Sequence, residues 1–489
     1  MESSNTIVRA FSRILSFNVM LAFLLGGLVW GISWGKGDKD PDIWWHLRNA
    51  EYLFQTHHLP NHDTYSFTLE GHEWINHSWL AEIPYYLAWR AKGLAGVDML
   101  RIFLASLITA GIVYLCWQSS RNFKASIAAS AFCCFLAIVS WGPRTILFGY
   151  LCLIGLLIIL ERFRTRGRGP LWLLPVVMCL WINTHGGWLF GLIVFGIFVA
   201  SGLVEGQWGR VEAVRWTRPQ LMKLIAAGIA SVAALFVNPY GWRLVKYSIA
   251  FKSSQVLNVS SIEEWFSVDF HDWRGKVVFI LIISLLAGAL LKNQRWRLSE
   301  IGYLLLGLYL GVTYMRFLIM LAILAAPLLA RLLDFMPPYD RKADQPLINL
   351  VFIGACLAAA LHYYPPQSHA MIEEKVAATY PAEILPYLKS HPPDGRILNE
   401  YLWGGYLIWH ARDLKVFIDS RVDIFEDEGV FKDYLDFIAL ENPNSIVDKY
   451  QIHYLLLSVK NPMVPFLQYD PRWKKTYKDS VSILFEKTL

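Results

Sequence analysis

The chain is 489 residues long and 55% hydrophobic, yet only 17% of its residues are charged, and its formal net charge is +6. A soluble globular chain carries about a quarter charged residues, so this composition excludes a fully water-facing surface. The Lys and Arg residues fall in short clusters between apolar runs, with no basic face or stripe, which argues against nucleic acid as a partner.

Eleven apolar runs follow one another, near 14–34, 97–117, 125–141, 145–160, 171–184, 187–204, 221–237, 277–291, 299–315, 317–333 and 347–364. At about 20 residues per crossing, this is the pattern of a mainly α, polytopic membrane protein of about eleven helices. The first run lacks a small-residue cleavage site and reads as a retained helix. The six cysteines all lie in apolar runs at spacings that suggest neither a disulfide framework nor a metal-thiolate site.

Loop charge sets the orientation. Arg9 and Arg13, Arg121 and Lys124, the run Arg162 to Arg168, then Arg210, Arg215 and Arg218, then Lys292, Arg295 and Arg297, and finally Arg341 and Lys342 share one side. The short loops of the other side carry Arg144 alone and Arg316 alone. The positive-inside rule therefore places the amino terminus in the cytoplasm of a cell with a plasma (inner) membrane and the carboxyl terminus outside. A membrane module over 1–364 sends large outer loops out at 35–96 and 238–276, followed by an extracytoplasmic α/β domain over 365–489. In that tail Ile397 to Tyr401, Leu414 to Ile418, Tyr454 to Ser458 and Val481 to Phe485 read as strands, and Glu428 to Leu440 as a helix.

The first outer loop begins Asp38-Lys39-Asp40-Pro41-Asp42-Ile43-Trp44-Trp45-His46-Leu47-Arg48. Carboxylates this close repel one another, and a cation, a ligand or water must compensate them. Trp44 and Trp45 suit the headgroup level. Pro60, Asp63, Thr64, Tyr65, Ser66 and Phe67 follow, then Glu73, Asn76, His77, Trp79 and Glu82. A loop of some sixty residues with this chemistry points to function. Asn76-His77-Ser78 and Asn258-Val259-Ser260 match the glycosylation acceptor pattern, which often arises by accident. Asp419 and Arg421, after the strand-like Val416 to Ile418, read as a structural ion pair.

These stretches resemble a family. Asp42 to Arg48 followed by Asp63 to Phe67 is similar to the first outer loop of the glycosyltransferase C superfamily, in particular to the catalytic subunits of oligosaccharyltransferases. Ser261-Ile262-Glu263-Glu264 resembles that family's Ser/Thr-Ile-x-Glu signature, and Tyr314-Met315-Arg316-Phe317 resembles its membrane-boundary Arg. Tyr401-Leu402-Trp403-Gly404-Gly405-Tyr406-Leu407-Ile408 is similar to its aromatic-Gly-Tyr motif.

The resemblance implies a catalytic carboxylate at Asp42, or at Asp40 under the other alignment. It also implies an assisting Glu264 that engages acceptor and metal, and a lipid-phosphate ligand at Arg316. Asp42 and Glu264 would be the protein ligands of a divalent cation, Mg or Mn. Asp63, His77, Trp403 and Tyr406 are the candidate acceptor or loop contacts. Two features depart from the family: Trp403 or Gly404 stands where its central Asp would be, and Trp141-Gly142-Pro143-Arg144 lacks its second acidic pair. What is implied is transfer of a sugar from a polyprenyl-linked donor, at a lipid bilayer, to a glycan, lipid or protein acceptor.

Chemistry supports the same assignment. A departing phosphate or diphosphate needs fixed cations in a partly dry site, and Arg144 and Arg316 sit at predicted outer ends of helices. His46 either touches the donor phosphate, orients the carboxylate, or packs as a structural residue. His185 lies in a tight outer turn with two glycines, and Asn238-Pro239 reads as a helix stop. The rival readings are a transporter or flippase of lipid-linked saccharides, which predicts interrupted helices in corresponding halves, and a non-catalytic scaffold.

Overall fold

The structure, a computed structural model, describes residues 14–36, 40–167 and 169–488, apart from the side chains of 139, 252, 253 and 343. Arg9, Arg13, Asp38, Lys39 and Arg168 lie outside the described residues. The chain divides into two compact units. The first comprises Met1–Lys36, Arg101–Gly241 and Glu263–Pro366, and the second Gly37–Leu100, Trp242–Ile262 and Gln367–Leu489. The first large loop and residues 242–262 of the second thus group with the tail, while 263–276 group with the helices of the first unit.

In the first unit, a helix lies on each of the eleven apolar runs among the described residues. Five are long and apolar enough to cross a membrane: Leu94–Ser120, Ile146–Arg166, Trp273–Leu291, Met315–Leu332 and Pro346–Tyr363. Phe17–Ser33, Phe123–Leu136, Leu173–Thr184, Trp188–Ala200 and Leu298–Thr313 are apolar but shorter, and a helix of a dozen residues rises only about 18 Å. Burial separates the spans. Met315–Leu332 is 78% buried and forms the centre of the unit, whereas Pro346–Tyr363 is 6% buried and turns its apolar side chains outward.

Local chemistry fixes the helix ends. Ser16 caps the first helix through the Val19 N–H. Thr217 and Gln220 form a capping box at Arg218–Ala234, with Pro219 in its first turn. Asp344 accepts from the Phe17 N–H at 3.1 Å and from Asn349 Nδ2 at 2.7 Å, tying the start of the first helix to the start of the last. The expected stop at Asn238 is a turn whose side chain bonds the Leu235 and Gly241 carbonyls. A small sheet joins β1 (Gly206–Trp208), antiparallel β2 (Val211–Ala213) and β3 (Trp296–Arg297), which runs parallel to β2.

The second unit is α/β. Its sheet has the order β4 (Arg396–Asn399), β5 (Ile452–Ser458), β7 (Ser482–Lys487), β6 (Trp473–Lys478); only the β4–β5 pair is parallel. Leu398, Leu455, Leu456, Ile483 and Phe485 are fully buried along it. The expected helix within 428–440 is Val430–Ile438.

Two strand expectations need correction. Leu414 to Ile418 is not a strand; Val416 makes an isolated bridge to Ser66. Its neighbours are satisfied by side chains instead, with the Phe417 N–H donating to Asn399 Oδ1 at 2.8 Å and the Ile418 carbonyl accepting from Asn399 Nδ2 at 2.8 Å. Strand β6 was not expected because Trp473-Lys474-Lys475-Thr476-Tyr477-Lys478 is mostly polar, as suits an edge strand whose lysines discourage further pairing.

Candidate active site

In the first unit, Glu264, Arg144 and Arg316 come together. Glu264 lies in a short turn, Glu263–Trp265, and Arg316 in another, Met315–Phe317. Backbone bonds strap these segments to each other: the Met315 N–H donates to the Phe266 carbonyl at 3.0 Å, and the Val268 N–H to the Val312 carbonyl at 3.0 Å. Arg144 projects from the turn after Trp141, whose carbonyl accepts from the buried Arg101 at 2.8 Å.

Each Glu264 oxygen has its own guanidinium. Arg316 Nη1 lies 3.1 Å from Oε1, and Arg144 Nη1 donates to Oε2. The Arg316 guanidinium stands 4.0 Å over the Trp265 ring, while its Nε is buried without a hydrogen-bond partner. Trp265 is held edge-on by Tyr314 and Phe317 at 5.8 and 6.0 Å. Burial pushes the Glu264 carboxyl up, but the charges of Arg316 and Arg144 outweigh it and bring it down to about 2. Two guanidiniums and one carboxylate leave a net positive charge, an arrangement able to hold an anion. His185 is extended at its turn, with Nδ1 accepting from the Gly187 N–H at 3.0 Å.

The second unit holds the remaining candidates. Asp42 opens the helix Asp42–Thr56; its N–H donates to Asp40 Oδ1 at 3.0 Å, and its Oδ1 accepts from Trp45 Nε1 at 3.3 Å. Asp40 is 1% exposed, whereas Asp42 is half-buried. Glycine matters at the neighbouring contact. A Cβ on Gly405 would lie 2.6 Å from the Pro41 carbonyl, and one on Gly404 2.1 Å from the Ile418 carbonyl. Gly405 therefore lets the helix Gly404–His410 seat directly against the start of the Asp42 helix, and Gly404 lets it seat against the Ile418–Asp419 backbone.

His46 is buried with Nδ1 2.8 Å from Glu82 Oε1. A carboxylate only accepts, so Nδ1 carries the proton and the tautomer is set. Glu82 also accepts from Asn49 and Asn76 at 3.0 and 2.8 Å, which makes it the hub of this loop.

Of the other expected contacts, Asp63, Trp403 and Tyr406 are buried. Asp63 is 0% exposed, 2.7 Å from Arg421, which also binds Asp419 at 2.6 Å. Trp74 and Tyr65 lie against that guanidinium at 4.8 and 5.1 Å. Trp403 and Tyr406 are core residues: Trp403 donates to the Thr379 carbonyl at 3.1 Å, and Tyr406 stacks on Tyr380 and meets the edge of Trp44. His77 is half-buried and stacks on Tyr247, whose hydroxyl donates to Asp423 at 2.6 Å. Trp44 and Trp45, expected at the headgroup level, are buried in this unit, and the sequon residues Asn76 and Asn258 are buried as well.

Sequence reading missed Trp265 as the support of Arg316 and Glu82 as the hub beneath His46. The only available signal was an aromatic beside each member of the ion pair and an unassigned Glu in a His-rich loop. As a metal ligand Glu264 does not fit, because both oxygens are engaged by guanidiniums. Among the described residues no three His, Cys, Asp or Glu side chains gather into a metal-binding group.

The fold, a helical unit together with a small α/β unit, has a counterpart among solved structures. It is similar to the crystal structure of the Archaeoglobus fulgidus oligosaccharyltransferase tethered through a disulfide bond to an acceptor peptide containing the NVT sequon. The TM-score is 0.59 at 11% identity, covering 96% of this chain and 74% of that one. At that identity the likeness is one of fold. No protein-family model and no curated protein matches the sequence.

Proposed function

We propose that this protein is a membrane glycosyltransferase of the glycosyltransferase C type, moving a sugar from a polyprenyl phosphate or diphosphate donor to an acceptor at the outer face of the plasma membrane. The observation that carries the reading is the convergence of Arg144 and Arg316 on Glu264, a cationic cluster with a buried, unpartnered guanidinium nitrogen. The eleven-helix topology, with the amino terminus cytoplasmic and the tail outside, belongs to the same proposal.

Asp42 is the base. It removes a proton from the acceptor nucleophile, which attacks the anomeric carbon; the bond from that carbon to the phosphate oxygen breaks, and the electron pair leaves with the lipid phosphate. A single displacement inverts the anomeric configuration. Asp42 is favoured over Asp40 because Asp40 is buried and already accepts the Asp42 N–H, while Asp42 reaches solvent. Arg316 and Arg144 stabilise the departing phosphate as charge develops. Glu264 holds them at fixed separation until the donor arrives. His46, fixed by Glu82, orients the Asp42 helix.

The neighbour's peptide acceptor supports a site open to an acceptor chain, and the acceptor here is a glycan, lipid or protein. The test is equilibrium binding of polyprenyl phosphate to purified protein. Arg316→Gln is expected to weaken binding at least about tenfold, as for loss of one charge-assisted pair. Unchanged affinity would refute the assignment.

A further inference from the structure

A polar cavity lies in the first unit, among the ends of five helices that carry the basic loops. It has a volume of about 270 Å³. Its lining combines apolar residues such as Leu115, Leu157, Leu160, Phe198 and Ile323 with the charged Arg121, Arg297, Arg331, Glu161 and Glu300. Arg297 Nη1 contacts both oxygens of Glu161 at 2.8 and 2.9 Å. Arg331 Nη2 lies 2.7 Å from Glu300 Oε2, which also accepts the Arg297 N–H at 2.9 Å. Three guanidiniums against two carboxylates leave one positive charge.

The pairing is incomplete. Gln118 Oε1, the Tyr303 hydroxyl and Arg331 Nε are buried and have no hydrogen-bond partner, though all three residues line this cavity. Buried polar groups are ordinarily satisfied, and three orphans around one void call for a ligand that supplies their partners. Two of them donate and one accepts. A phosphate takes hydrogen bonds from Arg331 Nε–H and the Tyr303 hydroxyl, and a head-group hydroxyl gives one to Gln118. Free phosphate would leave the leucine wall uncovered, while the first carbons of an acyl chain fill it.

We propose that this cavity binds one anionic phospholipid with a hydroxyl-bearing head group, taken from the leaflet on the basic-loop side. Basic pockets between membrane helices on that side suit such head groups. The site shares no residue with the Arg144–Glu264–Arg316 cluster and stands whether or not that cluster binds a donor.

Native mass spectrometry of the full chain in detergent tests it, with phosphatidylglycerol, phosphatidylcholine and sn-glycerol 3-phosphate as probes. One phosphatidylglycerol should be retained, about tenfold more tightly than phosphatidylcholine, with Tyr303→Phe combined with Gln118→Leu removing most of that preference. Arg331→Lys, which keeps the charge but loses Nε, should weaken retention of both lipids, since each presents a phosphate there; Tyr303→Phe alone, which removes the other phosphate donor, should do the same and keeps the test valid if Arg331→Lys misfolds. Equal retention of the two lipids, unchanged retention in these variants, or displacement of phosphatidylglycerol by equimolar glycerol 3-phosphate would overturn the proposal.

Discussion

Arg316 and Glu264 meet at 3.1 Å with the indole of Trp265 under the guanidinium, and the second Glu264 oxygen is taken by Arg144. The ion pair thus has a geometric and an electrostatic role: it fixes two cations side by side and leaves them one charge in excess.

Glu264→Gln should expose the electrostatic role. Its folded-state carboxyl, at about 2, lies below the ordinary 4.5. The charged form therefore stabilises the fold above the ordinary value, and that contribution is lost as pH falls through about 4.5 towards 2. Thermal unfolding in detergent should show this acid-side loss in the parent and a weaker one in the variant. At neutral pH the variant should be less stable by about 1–3 kcal/mol, below the range for fully buried pairs because the site is partly hydrated. An identical pH profile in both proteins would contradict the pairing.

Arg421→Met should be among the most damaging substitutions outside the proposed site. It strands the buried carboxylates of Asp63 and Asp419 without a counter-charge, at a cost of about 3–5 kcal/mol. A denaturation midpoint close to that of the parent would show that the Arg421 ion pairs contribute little.

Gly405→Ala should impair transfer more than stability. Its Cβ would press on the Pro41 carbonyl, immediately before Asp42; overpacking of this kind costs about 1–3 kcal/mol. Gly354→Ala, where a Cβ meets nothing within 4 Å, is the control. Activity assayed well below both melting temperatures distinguishes displacement of the Asp42 helix from general unfolding, and equal activity of the two variants would remove the positioning role.

The helices were legible because long apolar runs bounded by basic loops carry their own signal, and a helix occupies every one of them. Arg316, Arg144 and Glu264 were each visible as residues suited to a phosphate or acceptor site. Their mutual pairing was not, since it depends on two turns brought together by backbone bonds far apart in sequence. Asp63 looked like a loop contact because its partner Arg421 lies in the tail. Trp403 and Tyr406 looked like recognition aromatics because a polar-tipped ring reads the same in a core as at a surface, and burial distinguishes the two only in three dimensions. β6 escaped because an edge strand rich in lysine has no apolar alternation.

The most direct measurement is single-turnover transfer from a polyprenyl-linked sugar by purified protein carrying Asp42→Asn, with Asp40→Asn assayed beside it. Loss of the base should lower the Asp42→Asn rate by about 10²–10⁴, while Asp40→Asn lowers stability and retains more activity. Transfer by Asp42→Asn within about twofold of the parent, far inside the range expected for loss of a general base, would contradict the account.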